Sequence, residues 1–276
     1  METKRLGAAN ASQRLNKYLA AAGVCSRREA DRLIADGRVT VNGRRAETGQ
    51  RIMPEDLILI DGKPVFPENL PGTDATLRPS AFPKRVLLAF YKPRGVVCTT
   101  GTKDRAPNVV EYIGYPDRIY PVGRLDKESE GLLLLTNRGE LVNQINRARY
   151  EHEKEYEVRC KRPVTDRFLN TLAKGVRIRV PVAGKPGAVR EVETRPCTVA
   201  RLDASSFRIV LTQGLNRQIR RMCAALGSEV TVLKRIRVMN ICLSGLKPGE
   251  WREVKGKELK ELEDAVRKSK SKTRGL

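Results

Sequence analysis

The sequence predicts an α+β chain in two folded parts, and three observations carry the prediction. Residues 12–45 read as two short helices followed by a tight β-turn. Further along, apolar or alternating runs such as Val86-Leu-Leu-Ala-Phe-Tyr91, Leu132–Leu135 and Phe207–Leu211 read as core strands, short runs of about four to eight residues being the strand pattern. Between the two parts, residues 67–84 hold Pro67, Pro71, Pro79, Pro83 and Gly72 with few apolar residues, the composition of a linker.

Taken in order, the chain opens with a polar lead and then Leu15, Tyr18, Leu19 and Ala22 at helical spacing, with Gly23 as the stop. Ser26-Arg-Arg-Glu29 has the form of a capping box, and Ala30, Leu33 and Ile34 give the second helix its apolar stripe up to Gly37. Val39-Thr-Val41 is strand-like, and Asn42-Gly43 is a tight-turn signal. The polar faces of this unit are basic: Arg14, Lys17, Arg27, Arg28, Arg32, Arg38, Arg44 and Arg45 outnumber Glu29, Asp31 and Asp36. Such a face suits phosphate contacts, which give affinity and register without reading sequence. Leu57–Ile60 and the turn Asp61-Gly62 complete the unit.

The second part starts near Arg85. Lys92-Pro93-Arg94-Gly95 ends its first strand, where Lys92 is placed either to contact phosphate or to be solvated. Ile119-Tyr-Pro-Val122 then runs into Gly123-Arg-Leu-Asp-Lys-Glu-Ser-Glu-Gly131 and a leucine run, so Asp126 falls on a loop between two strands. Asn137-Arg-Gly-Glu140 resembles the capped start of a helix carrying Leu141, Val142 and Ile145. From His152 to Val158 the pattern is a strand, with Tyr156, Val158 and Cys160 alternating onto one face. After the Phe207–Leu211 strand comes a helix whose buried stripe is Ile219, Met222, Cys223 and Leu226, ended by Gly227. At ~100° per residue, Arg217 and Arg221 fall opposite that stripe, facing phosphate, while Arg220 lies at its edge. Residues 257–276 finish with a run of cations and no acid after Asp264, which reads as a flexible basic tail adding nonspecific RNA affinity.

Composition narrows the function. The 276 residues carry 54 Lys+Arg against 32 Asp+Glu, a formal charge of +22, so the partner is anionic and nucleic acid leads. A membrane surface is the competing explanation, but no apolar stretch of about 18 residues is available to span a bilayer. Met1-Glu-Thr-Lys-Arg5 lacks the apolar core of a signal peptide, and the six cysteines form no CxxC pair; a cytoplasmic chain with reduced, packed thiols is expected. His152 is the single histidine, read as a surface or hydrogen-bonding residue, and no Cys/His cluster has metal-ligand spacing. With aromatics at 5%, an extended base-stacking platform is not expected.

Asp126 is the leading candidate for chemistry, and its bland alternative is a turn aspartate bonding its own backbone. Tyr156 reads locally as a core residue with a bonded hydroxyl. An arginine near a low-dielectric site needs a partner, which makes Arg220 and Asp126 a candidate pair. There is no GxxxxGK[ST] loop, no strand–GxGxxG–helix unit and no G-x-S-x-G elbow, so nucleotide-driven, dinucleotide and serine-hydrolase reactions lack support.

Two resemblances sharpen these readings. Arg14-Leu-Asn-Lys-Tyr-Leu19, Ser26-Arg-Arg-Glu-Ala-Asp31 and Val39–Gly43 resemble the S-four RNA-binding domain, or alpha-L motif, which implies RNA rather than DNA. Lys92-Pro93-x-Gly95, Gly123-Arg-Leu-Asp126 with Gly131-Leu-Leu133, Lys154-x-Tyr156 and Gln218-Ile-Arg220-Arg221 resemble the RsuA/RluB/RluF group of pseudouridine synthases. Gly214–Met222 and Arg237–Arg252 look closest to its RluF branch.

The resemblance implies a domain at 12–66, a linker at 67–84, a catalytic domain at 85–256 built on a mixed, largely antiparallel sheet, and the tail at 257–276. It implies that a uridine already in RNA is isomerised without cofactor or metal. Asp126 would act at the sugar as nucleophile or base, Tyr156 would pack on the base and assist proton loss from carbon 5, and Arg220 would hold Asp126 ionised. The target must leave its stack, with Arg124 filling the space or contacting the backbone. Arg14, Lys17, Arg27, Arg28, Arg32, Arg44, Lys92, Arg124, Arg217 and Arg221 are the expected RNA contacts. Large-subunit ribosomal RNA is the implied substrate, with the anticodon arm of tyrosine tRNA second and a monomer as the working form. The rival is a noncatalytic RNA-binding ribosome-assembly factor, separated from an isomerase by carbodiimide labelling of treated RNA. The loop at Thr99–Ala106 carries no readable code for the RNA site.

Overall fold

Apolar positions before and after the proline-rich stretch close into separate hydrophobic cores. The computed structural model describes residues 12–65, 84–99, 106–146 and 150–272, so nearly all of the expected linker and most of the Thr99–Ala106 loop lie outside the described residues. The chain divides into two compact units, Met1–Lys84 and Arg85–Leu276.

In the first unit the elements are β1 (Gln13–Arg14), α1 (Leu15–Ala21), α2 (Arg27–Ala35), β2 (Val39–Val41), β3 (Arg44–Arg45), β4 (Arg51–Ile52), β5 (Ile58–Ile60) and β6 (Lys63–Pro64). The Ser26 side chain caps α2 by accepting from the Glu29 N–H at 3.1 Å. Asn42 and Gly43 both take positive φ, +51° and +77°, as a two-residue hairpin between β2 and β3 requires. Leu15, Leu19, Ala30, Ile34, Val39, Ile52 and Ile58 form the core.

The second unit continues with β7 (Leu87–Lys92), α3 (Val109–Ile113), β8 (Tyr120–Val122), β9 (Glu130–Thr136), α4 (Gly139–Asn146), β10 (Lys154–Cys160), α5 (Asp166–Lys174), β11 (Arg177–Pro181) and β12 (Val189–Glu193). It ends with β13 (Thr198–Arg201), β14 (Ser206–Leu211), α6 (Gln218–Ala225), β15 (Val230–Val238), β16 (Ile241–Cys242), β17 (Trp251–Glu253) and α7 (Gly256–Lys272). Its main sheet runs β13-β14-β10-β15-β9-β7-β17, with β16 on β15 and β8 on β9. Every pairing is antiparallel except β15 with β9. The leucine run is continuous because β9 is buried on both faces: Leu132 and Leu134 enter one core, Leu133 and Leu135 another.

The parallel junction is tight. A Cβ on Gly131 would lie 2.3 Å from the Arg235 carbonyl oxygen, and its φ is +102°, so only glycine fits. Ahead of α4, the Asn137 side-chain oxygen ties back to the sheet by accepting from the Val86 N–H at 3.0 Å.

The C-terminal segment is not a flexible tail over its first part. Residues 256–272 form α7, with Leu262 and Val266 buried against Leu141 and Ile145. Leu259, Leu262 and Val266 recur at helical spacing inside the charge run that dominates the composition. Arg252 pairs with Glu258, and Arg138 with Glu263. His152 is buried, its Nδ1 3.2 Å from the Ile145 carbonyl and its Nε2 3.0 Å from the Ser269 hydroxyl. Only an acceptor faces Nδ1, so the neutral ring carries its proton there, while the Ser269 hydroxyl beside Nε2 donates to the Ala265 carbonyl at 2.9 Å.

Gly131→Ala is expected to destabilise the second unit by about 3 kcal/mol or more, from strain plus overpacking. The urea midpoint measures this, with Gly139→Ala, where the added Cβ meets nothing, as the control. Burial lowers the His152 pKa despite the Ile145 hydrogen bond. Its unfolded state therefore binds a proton first as pH falls below about 6.5, so stability drops on acidification through that value. His152→Gln should flatten this part of the stability–pH curve.

Candidate active site

A tight turn carries Asp126, and two cations, one buried and one half-buried, hold it. The Ser129 N–H donates to the Asp126 carbonyl at 3.0 Å, which closes the turn through the main chain. On one side Lys92, at 0% exposure, donates to the carbonyls of Pro93 and Val96 at 2.8 and 2.9 Å, and more distantly to that of Lys127 at 3.4 Å. The Gly95 N–H also donates to the Lys127 carbonyl, at 2.8 Å. On the other side Arg220 donates to the Glu128 carbonyl at 3.2 Å and the Ser129 hydroxyl at 3.3 Å, while its Nη1 holds the Val230 carbonyl at 2.9 Å. Upstream, the Leu125 N–H donates to the Cys98 sulfur at 3.3 Å.

The Asp126 carboxylate is left to face outward from this turn. Its Oδ2 lies 3.4 Å from Arg217 Nη1 and 3.8 Å from Arg220 Nε. The side chains of Arg220, Asp126 and Arg217 are 14%, 30% and 46% exposed, a gradient from interior to rim. Burial and then the Arg217 charge pull the Arg220 pKa down, and Asp126 opposes them. Arg220 Nε is buried without a hydrogen-bond partner among the described residues.

A cavity of about 570 Å³ opens in front of the carboxylate, lined by Arg124, Asp126, Asn146, Lys154, Tyr156, Arg217 and Arg235 among others. Tyr156 is half-buried, packed against the cores on both sides of the site. The structure thus brings Asp126, Tyr156, Arg220, Arg124 and Arg217 to one place, and the sheet register explains how. Tyr156 pairs with Arg235, and Arg235 pairs with Gly131 at the head of β9, so β10, β15 and the Asp126 turn meet at the parallel junction.

One expected RNA contact is corrected, and so is the helix-face placement of another. Lys92 is wholly buried and spends its ammonium on backbone carbonyls, so it is a brace, not a phosphate contact. Arg217 does not lie on the outer face of a helix. It precedes α6 with φ +50°, and that left-handed turn aims it at Asp126. Arg221 folds back onto Asn216 through the carbonyl and side-chain oxygens, both at 3.0 Å. In the first unit Arg14, Lys17, Arg27, Arg28, Arg32 and Arg44 are all exposed. Arg235 lines the cavity without having been singled out, and Lys154, named above only as part of the Lys154-x-Tyr156 motif and given no role, lines it too. Among the described residues no group of three His, Cys, Asp or Glu side chains could hold a metal, and no helix is long and apolar enough to cross a membrane.

Comparison with known proteins agrees with this geometry. The RNA pseudouridylate synthase family model matches residues 86–225, and the S4 domain model matches residues 13–58. A dual-specificity RNA pseudouridine synthase RluF from Salmonella typhi is 43% identical over 260 residues, covering 94% of this chain and 82% of that protein. The ribosomal large subunit pseudouridine synthase B of Bacillus subtilis is 35% identical over 259 residues, covering 91% and 95% respectively. A crystal structure of a pseudouridylate synthase matches with a TM-score of 0.59 at 25% identity, over 91% of this chain and 99% of that one.

Lys92→Met leaves the carbonyls of Pro93 and Val96 without their donor, and should cost about 2–4 kcal/mol of stability. RNA affinity of the folded variant should stay within about twofold of wild type, since this ammonium reaches no surface. Urea titration and a filter-binding assay check both halves; weakened RNA binding at full stability would contradict the brace.

Proposed function

The chain belongs to the RNA pseudouridylate synthase family, and from that premise we propose that Asp126 is the residue that acts on the ribose of the target uridine. The family reaction isomerises uridine within RNA, exchanging the N1 glycosidic bond for one to carbon 5. The observation that carries the assignment is the Asp126 carboxylate itself, facing a cavity it shares with Tyr156 while its own turn is closed by main-chain atoms.

In this reading the carboxylate attacks C1′ or removes the 2′ proton, and either route frees the base. Arg217 Nη1 and Arg220 Nε place positive charge 3.4 and 3.8 Å from the carboxylate. Arg220 is a positioning residue, since its hydrogen bonds go to the Val230 carbonyl and to the turn rather than to the carboxylate. Tyr156 supports the freed uracil as it turns and assists loss of the carbon-5 proton. The flipped nucleotide leaves a gap in its helix, and Arg124, exposed at the cavity rim, fills that gap or holds the flanking backbone.

Large-subunit ribosomal RNA is the principal substrate in this proposal, with the anticodon arm of tyrosine tRNA second. The names of the RluF and B-type relatives support the pairing of a ribosomal target with a second RNA. The exposed basic residues of the first unit supply sequence-independent phosphate contacts. The working form in this proposal is a monomer in the cytoplasm.

Asp126→Asn should abolish pseudouridine formation, read by carbodiimide labelling, while RNA affinity stays within about threefold of wild type. Product at the wild-type rate would refute the role. Pseudouridine sequencing of ribosomal and transfer RNA from a deletion strain should show loss at a large-subunit site and in tyrosine tRNA. Deuterium at the 2′ position separates the two routes, because only proton removal gives a primary isotope effect.

A further inference from the structure

Lys154 and Arg235 line the cavity that the Asp126 carboxylate also faces. Arg235 is 3% exposed; its Nε donates to the Leu132 carbonyl at 2.7 Å, and its Nη2 is buried with no partner among the described residues. Lys154 donates to the His152 carbonyl at 3.1 Å. Neither forms an ion pair within 4.0 Å among the described residues, and both line the cavity beside Asp126. Burial, followed by the Arg235 charge, lowers the Lys154 pKa to about 8. A deeply buried arginine with an unused donor, beside a second, half-buried cation, is costly unless an anion arrives in the cavity that both residues line.

The anion follows from position. Lys154 and Tyr156 stand two residues apart on β10, on the same face, and Arg235 is the residue paired with Tyr156 across the sheet. The two cations therefore flank the ring proposed to hold the base. Phosphates are better served at the rim, where Arg124 is exposed and Arg217 is 46% exposed. We propose that Lys154 and Arg235 form the counter-charge for the uracil anion released when the glycosidic bond breaks. This rests on the reading of the site given above.

Charge and atoms balance without another reactant. The C1′–N1 bond breaks heterolytically and its electron pair stays on the base, giving a uracil mono-anion delocalised onto O2 and O4. As the base turns, the C5–C1′ bond forms and the negative charge returns to the sugar side, to the Asp126 carboxylate if that is the group displaced. Loss of the C5 proton and protonation of N1 complete the isomer. Between the two bonding events the anion is stabilised by donors already in place, which strengthens transition-state binding rather than ground-state binding.

The test varies the leaving group. A large-subunit ribosomal RNA transcript is made with uridine or with 5-fluorouridine, whose fluorine stabilises the departing anion by itself. Single-turnover cleavage of the glycosidic bond and RNA affinity are measured for wild type, Lys154→Met and Lys154→Arg. Lys154→Met should slow cleavage of uridine about 100-fold. It should slow cleavage of 5-fluorouridine less than about tenfold and leave affinity within about twofold, and Lys154→Arg should recover most of the rate. Equal losses on both substrates would mark a structural role and overturn the proposal. So would a loss confined to affinity, which would mark a phosphate seat, or no loss at all. Wild-type protein inert on the uridine transcript would instead strike the target assignment, and this inference with it.

Discussion

The site depends on the Arg220 guanidinium lying half-buried between the start of β15 and the turn before β9, which the chain makes far apart. Its donors reach the Val230 carbonyl on one side and the Glu128 carbonyl and Ser129 hydroxyl on the other. A charged donor in a poorly solvated position cannot be left half-used without a penalty of one to several kcal/mol, on the order of a whole domain's margin of stability. The Asp126 turn is therefore held in one place by the same requirement that keeps Arg220 satisfied. Lys92 imposes a similar requirement from the opposite side. A carboxylate on an unbraced loop would sample many positions, and reaction rates fall steeply with misplacement of about 1 Å.

The mixed sheet makes that bracing possible. Antiparallel neighbours alone would carry β9 and β15 to the site from opposite ends. Their short parallel register, Lys234 with Glu130 and Arg235 with Gly131, instead sets the start of β9 beside the middle of β15. The turn before β9 then lies alongside β10 and α6, and the absent side chain of Gly131 permits the approach. The position thus owes its residue type to a neighbouring backbone and not to any chemistry of its own.

Much of this was legible in the sequence, for identifiable reasons. The Ser26 cap, the Asn42-Gly43 turn and the stripe Ile219, Met222 and Cys223 are local signals, and they produced local structure. The edge position of Arg220 on its helix correctly indicated a partner near Asp126. What failed was long-range or masked. Lys92 looked solvated because nothing in its neighbourhood shows that Val96 and Lys127 will fold around it. Arg217 was placed by a helical wheel one residue before the helix begins, where the left-handed backbone turns it the other way. The cations of α7 concealed an apolar stripe, and the buried Arg235 sat in an alternation whose inner and outer faces only the sheet order reveals.

The clamp around the turn has an evolutionary consequence. Most of what Lys92 and Arg220 hold there is main-chain oxygen, at Lys127 and Glu128, and every amino acid supplies a main-chain oxygen. The side chains of Lys127 and Glu128 are exposed, and that of Glu128 makes only a long surface ion pair with Arg94, at 3.9 Å. Mutational drift at those two positions can retune which RNA surface the enzyme prefers while the reactive carboxylate stays put. Divergence of target choice and preservation of chemistry are thereby uncoupled within a single four-residue loop.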